Sequence, residues 1–246
     1  MQKKEAVLLA LGGALIIIWI IGFLAVLNGK ALWQNTQIKS ETANKISDEI
    51  IDCIKKTTYD GLNILGKQGR IYPPLYMETN DTKIAYLYYE GTSFVPQNMN
   101  VISQELTRHV NENLPYCIDI IKEKYYEDEN ITFSYADKIY AFVSVDDQYV
   151  FVNMKYPIIL QKEGREETIA DFEAVISFKL FKAFDLAREI VKRTQNDPKW
   201  IDLEILSNEE LIVRLEKINE NTLIYTITTP LGLDAKPFTY RFAVKY

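Results

Sequence analysis

Few residue types in this sequence could carry chemistry, and none of them forms a known catalytic pattern. His109 is the sole histidine of the chain, whereas a histidine-based zinc site needs several ligands at fixed spacing. As a general base, His109 has no obvious serine or cysteine partner nearby in sequence, so a partner would have to come from a distant segment. The sequence therefore favours a structural histidine at the surface or at a helix end.

Acidic residues are paired at three places, namely Asp146-Asp147, Glu166-Glu167 and Glu209-Glu210. Two carboxylates can hydrolyse a glycosidic bond or bind calcium, but all three pairs fall at predicted turns or helix starts, where acidic residues are favoured anyway. The chain has no phosphate loop, dinucleotide fingerprint or Gly-x-Ser-x-Gly elbow. We therefore predict no catalytic residue, no cofactor and no metal.

Cys53 and Cys117 are the only cysteines. In an exported domain they can form one disulfide, and no other pairing within the chain is open to them. The alternative is two buried, unpaired thiols. We predict the disulfide, which requires the two Cα atoms to lie within about 7 Å.

Two further features concern the surface. Asn80 and Asn130 each begin an Asn-x-Thr sequon in loop-like sequence, so both are candidate glycosylation sites. The chain has 16 tyrosines, many of them between residues 72 and 126. Exposed tyrosines make binding surfaces, but most are expected to fill the core between strands and helices.

The elements that must position these residues begin with an apolar stretch, Ala6–Leu27, of 22 residues without a charge. A helix of this length crosses the roughly 30 Å hydrocarbon core of a bilayer. A cleaved signal peptide is the alternative, but its apolar region is shorter and ends at a small-residue cleavage site. The sequence predicts an uncleaved anchor over residues 1–30 that contacts the lipid bilayer. Small residues on one face of this span form a candidate helix-packing strip, Ala6, Ala10 and Ala14.

The charges near the span predict its orientation. Lys3 and Lys4 precede it and outweigh Lys30 after it, which favours a short cytoplasmic N-terminus. Residues 31–246 then form an extracytoplasmic domain, with 25 Lys and Arg against 33 Asp and Glu, a net charge of −8. An acidic domain stands off anionic head groups, and its sign also excludes a general nucleic-acid binder.

Hydrophobic periodicity predicts an α+β domain in which the transmembrane helix runs into an amphipathic helix, followed by a mixed, mainly antiparallel sheet with one or two packed helices. Pro115 predicts a break and the charged run 122–129 a solvated link, and Pro157 an edge or a bulge. Alternation predicts a hairpin over residues 139–154. The helices are predicted over residues 37–65, 101–110 (with Asn100 as N-cap) and 180–193, and the other strands over residues 84–89, 172–180, 211–218, 223–228 and 238–244.

Four short runs carry a resemblance: residues 65–69, 111–117, 197–203 and 236–243. With them the chain resembles an uncharacterised family of N-terminally membrane-anchored proteins of the small-genome (DPANN) archaea. The resemblance covers most of the domain in short pieces. It implies an archaeal cell-surface protein and supplies no catalytic residue.

Three functions compete on this basis. The anchor, the acidic domain and the lack of catalytic motifs favour a single-pass cell-surface protein with a structural, adhesion or protein-interaction role, binding a protein partner or a second copy of itself. A pilin-like subunit also joins a membrane helix to a sheet, but Lys4-Glu5-Ala6 lacks the expected processing pair. An extracytoplasmic hydrolase would need a site assembled from distant residues.

Overall fold

The computed structural model describes residues 41–79, 82–197 and 210–246. No helix within these ranges is long and apolar enough to span a membrane. Several predicted features lie outside the described residues, namely the span Ala6–Leu27, the strip Ala6, Ala10 and Ala14, and the sequon residue Asn80.

The chain divides into two units, residues 1–44 and residues 45–246. Of the first unit only residues 41–44 are described, as the first turn of a helix. The described part is α+β, as predicted, with three helices. They are α1 (Glu41–Gln68), α2 (Met99–Glu129) and α3 (Phe181–Asn196).

Helices α1 and α3 agree with their sequence patterns. The apolar face of α1 is fully buried at Ile46, Ile50 and Ile54, because apolar side chains spaced four apart lie on one face of a helix. Helix α3 buries Phe184, Ala187 and Val191, which lie on one face at three- and four-residue steps. Both helices therefore owe their position to the removal of one apolar face from water.

Helix α2 differs from the prediction. The sequence predicted a helix over residues 101–110, a break at Pro115 and a solvated link beyond it, but the structure has one 31-residue helix with Pro115 inside it. Proline removes one backbone hydrogen bond and disfavours a helix interior locally. Burial on both sides of the proline outweighs that cost, since α2 buries Leu106, Val110, Leu114, Ile118, Ile121 and Tyr125.

The ends of α2 are set by asparagines. Asn98, rather than the predicted Asn100, is the N-cap, and its side chain accepts a hydrogen bond from the Asn100 N–H at 3.0 Å. Asn130 ends the helix with a left-handed backbone, φ 54°. Asparagine tolerates this conformation better than most residues do.

The first sheet has six strands and is mixed. The strands are β1 (Tyr76–Glu78), β2 (Lys83–Tyr89), β3 (Thr92–Ser93), β8 (Ile212–Asn219), β9 (Thr222–Leu233) and β10 (Lys236–Lys245). Their order is β1-β2-β10-β9-β8, and β3 pairs with Tyr88 and Tyr89 at the end of β2. β2 and β10 run parallel, and every other pair in this sheet is antiparallel.

The second sheet is a four-stranded antiparallel sheet built on a long hairpin. Its strands are β4 (Thr132–Tyr135), β5 (Ala141–Val145), β6 (Tyr149–Lys162) and β7 (Arg165–Ser177). β4 and β5 both pair with one edge of β6, and β7 pairs with the other edge. The register of β6 and β7 shifts between Lys155 and Ile158, which confirms the bulge predicted at Pro157.

The presence of two sheets corrects the prediction of one. They meet where β7 ends, through a bridge between Phe178 and Leu233 and a hydrogen bond from the Lys179 N–H to the Gly232 oxygen at 2.6 Å. The sequence pattern gives strands but not their partners, because alternation is the same in one sheet as in two.

Polar side chains of α2 cover the free edge of β5. The backbone N–H groups of Ala141, Val143 and Val145 donate to α2 side chains at 2.7, 3.0 and 3.1 Å. The acceptors lie at four-residue steps on α2, at Asn111, Thr107 and Ser103. These bonds satisfy an edge that could otherwise pair with another strand.

Helices α1 and α2 lie antiparallel. The Glu49 carboxylate accepts from Lys124 Nζ at 2.8 Å and from the Tyr125 hydroxyl at 3.0 Å near one end of the pair. Near the other end, a Cβ on Gly61 would come within 3.1 Å of Leu106. The close approach of the two helices therefore depends on a residue without a side chain.

Candidate functional site

His109 is buried within α2 and only 8% exposed, so the prediction of a surface or helix-end histidine is wrong. The ring fits because Gly61 of α1 lies against it, where a Cβ would come within 2.8 Å of His109 Cδ2. Sequence reasoning missed this placement because it depends on a residue 48 positions earlier in the chain.

The His109 ring lacks one hydrogen-bond partner. The Asn113 amino group donates to the His109 oxygen at 2.8 Å and lies 3.4 Å from Nδ1. A donor at Nδ1 favours the tautomer with the ring proton on Nε2. Nε2 is shielded from solvent and has no hydrogen-bond partner among the described residues. Burial lowers the pKa of His109 below its ordinary value of 6.5, while Asp60 and Glu112 oppose that shift, so the ring is neutral at pH 7.

His109 lines an open cleft of about 550 Å³, a volume within the range of small-molecule sites. We call it the His109 cleft. It lies among α1, α2, the α1–β1 connection and the start of the first sheet. Its lining residues are Ile64, Gln68, Ile71, Tyr72, Pro73, Tyr76, Lys83 and His109.

The rim of the His109 cleft is held by a network between α2 and the α1–β1 connection. Glu112 accepts from the Tyr72 hydroxyl at 2.6 Å and from Arg108 Nε at 2.7 Å. The Arg108 guanidinium lies over the Tyr72 ring, 4.0 Å from its centroid. Burial and the hydrogen bond to Glu112 raise the pKa of Tyr72 to about 12, so the phenol stays protonated and keeps donating.

A buried ion pair between Arg70 and Glu105 also holds the α1–β1 connection in place. The Glu105 carboxylate accepts from Arg70 Nε at 2.7 Å, from Arg70 Nη2, and from the Ile71 N–H at 2.9 Å. Both side chains are about nine-tenths buried. The Tyr240 hydroxyl adds a bond to the Gly69 oxygen at 2.8 Å. Residues 69–72 therefore reach the His109 cleft with a fixed backbone.

Two polar groups of the His109 cleft remain available. Lys83 Nζ lies over the Tyr76 ring, 4.5 Å from its centroid, and among the described residues it forms no ion pair. Glu78 lies directly across from Lys83 in the β1–β2 register, but their side chains form no ion pair. The Gln68 amide likewise has no hydrogen-bond partner within the described ranges. The lining contains no serine, threonine, cysteine or carboxylate, and its polar groups are the Lys83 amine, the Gln68 amide, the His109 ring and two tyrosine hydroxyls.

A second surface lies on the solvent side of the second sheet. We call it the sheet face; its strands bury every second residue, such as Val143, Val152 and Ala174. The residues between them point to solvent. They are Phe142, Ser144, Tyr149, Phe151, Asn153, Lys155, Asp171, Glu173 and Val175.

The sheet face has an apolar end and a charged middle. Phe151 lies across from Val175, and the Tyr149 ring centroid is 5.9 Å from that of Phe151. Phe142 is 63% and Val175 53% exposed. The strand register places Glu173 in the same row as Phe142, and Lys155 across from Asp171 in the next row. The tyrosine count of the sequence did not indicate this surface, and the alternation in residues 139–154 is the sequence signal that does.

The cysteines lie where the sequence predicted. The Cα atoms of Cys53 on α1 and Cys117 on α2 are 6.0 Å apart, and the structure joins the two residues in a disulfide. The sequence predicted a break at Pro115 that would separate Cys117 from the first half of α2, but the helix continues through the proline. The disulfide therefore ties two continuous helices together.

The other candidate residues are separate from both surfaces. Asn130 is exposed at the end of α2 and so is open to modification. The Asp146 carboxylate accepts from the N–H groups of Gln148 and Tyr149 at 2.8 and 2.6 Å, which is a turn-forming role. Of the other acidic residues, Glu166 accepts from Gln161 and Glu210 from Lys182. No group of three potential metal ligands is found in residues 41–79, 82–197 and 210–246.

No family model, no curated protein and no solved structure matches this chain. The class that the fold defines is an α+β domain in which an antiparallel pair of helices packs with two sheets. Within its described part, the His109 cleft and the sheet face are the features whose geometry bears on function.

Proposed function

We propose that this chain is a single-pass membrane-anchored cell-surface protein whose domain associates with a second copy of itself through the sheet face. The anchor is supported by the uncharged stretch Ala6–Leu27. The association is supported by one observation above all, the exposure of Phe142 and Val175 together on one side of a sheet. Grouped, exposed apolar side chains are typical of interaction surfaces.

The charges on the sheet face argue against nucleic acid or anionic lipid. Asp171 and Glu173 lie on it, and Lys155 is the one cation among its described side chains. Residues 31–246 also carry a net charge of −8. A polyanionic partner would be repelled by this domain.

A second copy fits the same charges. Lys155 lies across from Asp171, so two faces related by a twofold axis can place the cation of each copy against an anion of the other. The aromatic ends then pack together. Opposite charges beside an apolar patch fix orientation and register.

The sheet face is small, which predicts a weak contact in solution. The sheet face spans three strands that lie about 4.8 Å apart, and each strand contributes about seven residues with a rise of about 3.4 Å per residue. Its area is therefore roughly 300 Å². A stable complex buries about 800 Å² per partner. Copies anchored in one membrane are held at high effective concentration, so a weak contact is sufficient there.

Energy transfer between labelled full-length copies in lipid vesicles tests the association. We expect transfer above the random level for the wild-type chain and a fall to that level for Phe142→Glu, because a carboxylate would be buried without a partner. Leu231→Glu is the matched control, since Leu231 is 59% exposed on β9, a strand of the first sheet. Random transfer for the wild type, or equal transfer for both variants, would exclude this mode of association.

The topology is tested separately. Protease added to intact cells should remove the domain and leave a small membrane fragment that contains Ala6–Leu27. Protection of the domain until lysis would contradict an outside location. The intact mass of the mature chain separates an unprocessed anchor from a cleaved signal peptide or a processed pilin-like N-terminus.

A further inference from the structure

We propose that the His109 cleft binds a small monocarboxylic acid with an apolar body, whose carboxylate pairs with Lys83. This inference is independent of self-association, since the His109 cleft and the sheet face share no residue. It rests on donors without acceptors, on an apolar lining and on a backbone that is fixed before any ligand arrives.

The cation of the His109 cleft is the first part of the argument. Lys83 Nζ is near the Tyr76 ring and forms no ion pair with any described residue. Two nearby carboxylates are already engaged, Glu112 by Tyr72 and Arg108 and Glu105 by Arg70. Glu78 lies across the strand pair from Lys83 but forms no ion pair with it. An incoming carboxylate therefore meets an amine that no carboxylate of the described residues contacts.

The unsatisfied donor of His109 is the second part. Nε2 carries the ring proton in the tautomer that Asn113 favours, and it has no acceptor among the described residues. A buried donor without a partner costs free energy. Because Nε2 is shielded from solvent, a ligand oxygen recovers that cost when the ring turns slightly toward the opening. The Gln68 amide, also without a partner in the described ranges, offers another donor and an acceptor at the same opening.

The apolar lining is the third part. Ile64, Ile71 and Pro73 form walls with the ring of Tyr76, which suits an aliphatic or aromatic body. The Arg70–Glu105 pair and the Tyr72–Glu112 bond hold the α1–β1 connection in place. A ligand therefore does not have to order this segment, and that lowers the cost of binding.

The sole histidine of the chain lies in the cleft, so NMR of a histidine-labelled full-length sample in detergent reports on this site alone. The probe is N-acetylphenylalanine, and its neutral amide is the matched control. We expect the acid to shift the His109 signals in a saturable way and the amide to do so much more weakly. Lys83→Gln should weaken binding of the acid by about tenfold or more, because a charge-assisted hydrogen bond is lost.

Lys217→Gln is the control variant, because it removes an exposed lysine of β8 that does not line the His109 cleft, and it should leave the titration unchanged. Equal shifts by acid and amide would overturn the assignment of a carboxylate ligand. An unchanged affinity in Lys83→Gln would overturn the role of Lys83. If the acid produced no saturable shift at millimolar concentration in a sample whose free His109 signals are those of a folded chain, the proposed site would be wrong.

Discussion

Replacement of Glu105 by alanine is expected to be among the most destabilising single changes in the described part of the domain. The Glu105 carboxylate holds Arg70 through two bonds and the Ile71 N–H through a third. In Glu105→Ala the guanidinium, whose side chain is 12% exposed, keeps one bond within the described ranges, the 3.3 Å bond to the Phe94 oxygen. A buried charge and a buried N–H group are then left without their partner.

The magnitude follows from these losses. Breaking a buried ion pair by removing one partner costs about 3–5 kcal/mol, and we expect about 4 kcal/mol for Glu105→Ala. In a domain of this size each kcal/mol lowers Tm by about 2–4 °C, so Tm should fall by roughly 10 °C. Urea and thermal unfolding of the full-length chain in mild detergent, followed by circular dichroism, measures both quantities.

The double variant Arg70→Met with Glu105→Leu is the control. It removes both charges and fills the space with apolar side chains, and such replacements are often nearly neutral. It should therefore be more stable than Glu105→Ala. A loss below about 1 kcal/mol for Glu105→Ala, or a double variant that is less stable than the single one, would refute the view that an unpaired Arg70 is the source of the cost.

The remaining predictions concern the antiparallel pair of helices α1 and α2. Ile50→Asp should cost several kcal/mol, because Ile50 is fully buried and its replacement is an unpaired carboxylate; Ile120→Asp, at a position 66% exposed, should change Tm little, and equal Tm values would contradict the packing of α1. Burial lowers the pKa of His109 below 6.5, so protonation opposes folding and the unfolding free energy should fall between pH 7 and pH 5. His109→Gln should lose that part of the dependence, and a His109 pKa above 6.5 by NMR titration would reverse the sign. Replacing both Cys53 and Cys117 by alanine should cost about 4 kcal/mol for a loop of 64 residues, measured by urea unfolding; an unchanged midpoint, or one that a reductant does not shift in the wild-type chain, would contradict the bond.

Some of the molecule was predictable because the controlling residues are close together in sequence. The buried face of α1 follows from its four-residue spacing, and the hairpin at residues 139–154 follows from alternation. Pro157 indicated the bulge because its missing N–H cannot pair with the neighbouring strand. The cysteine pair was predictable for a different reason, since two cysteines allow only one intramolecular bond.

The errors on α2 arose from a local rule applied without its surroundings. Proline disfavours a helix interior, and the sequence shows that cost at Pro115 but not the compensation. The compensation is burial of Leu114 and Ile118 on either side of it. The side chain of Asn111 adds two bonds to Ala141 of β5, a strand whose position the α2 sequence does not contain.

The sequence by itself determined an apolar stretch long enough to cross a bilayer, an α+β domain of acidic charge and a single possible disulfide. Each depends on composition or on spacing within one segment. The tertiary structure alone decided that His109 is buried, that Arg70 meets Glu105, and that Phe142 and Val175 share an exposed face. These depend on contacts between segments that are far apart in the chain, and local periodicity does not specify which segments meet, because the choice is made by the packing of the whole core.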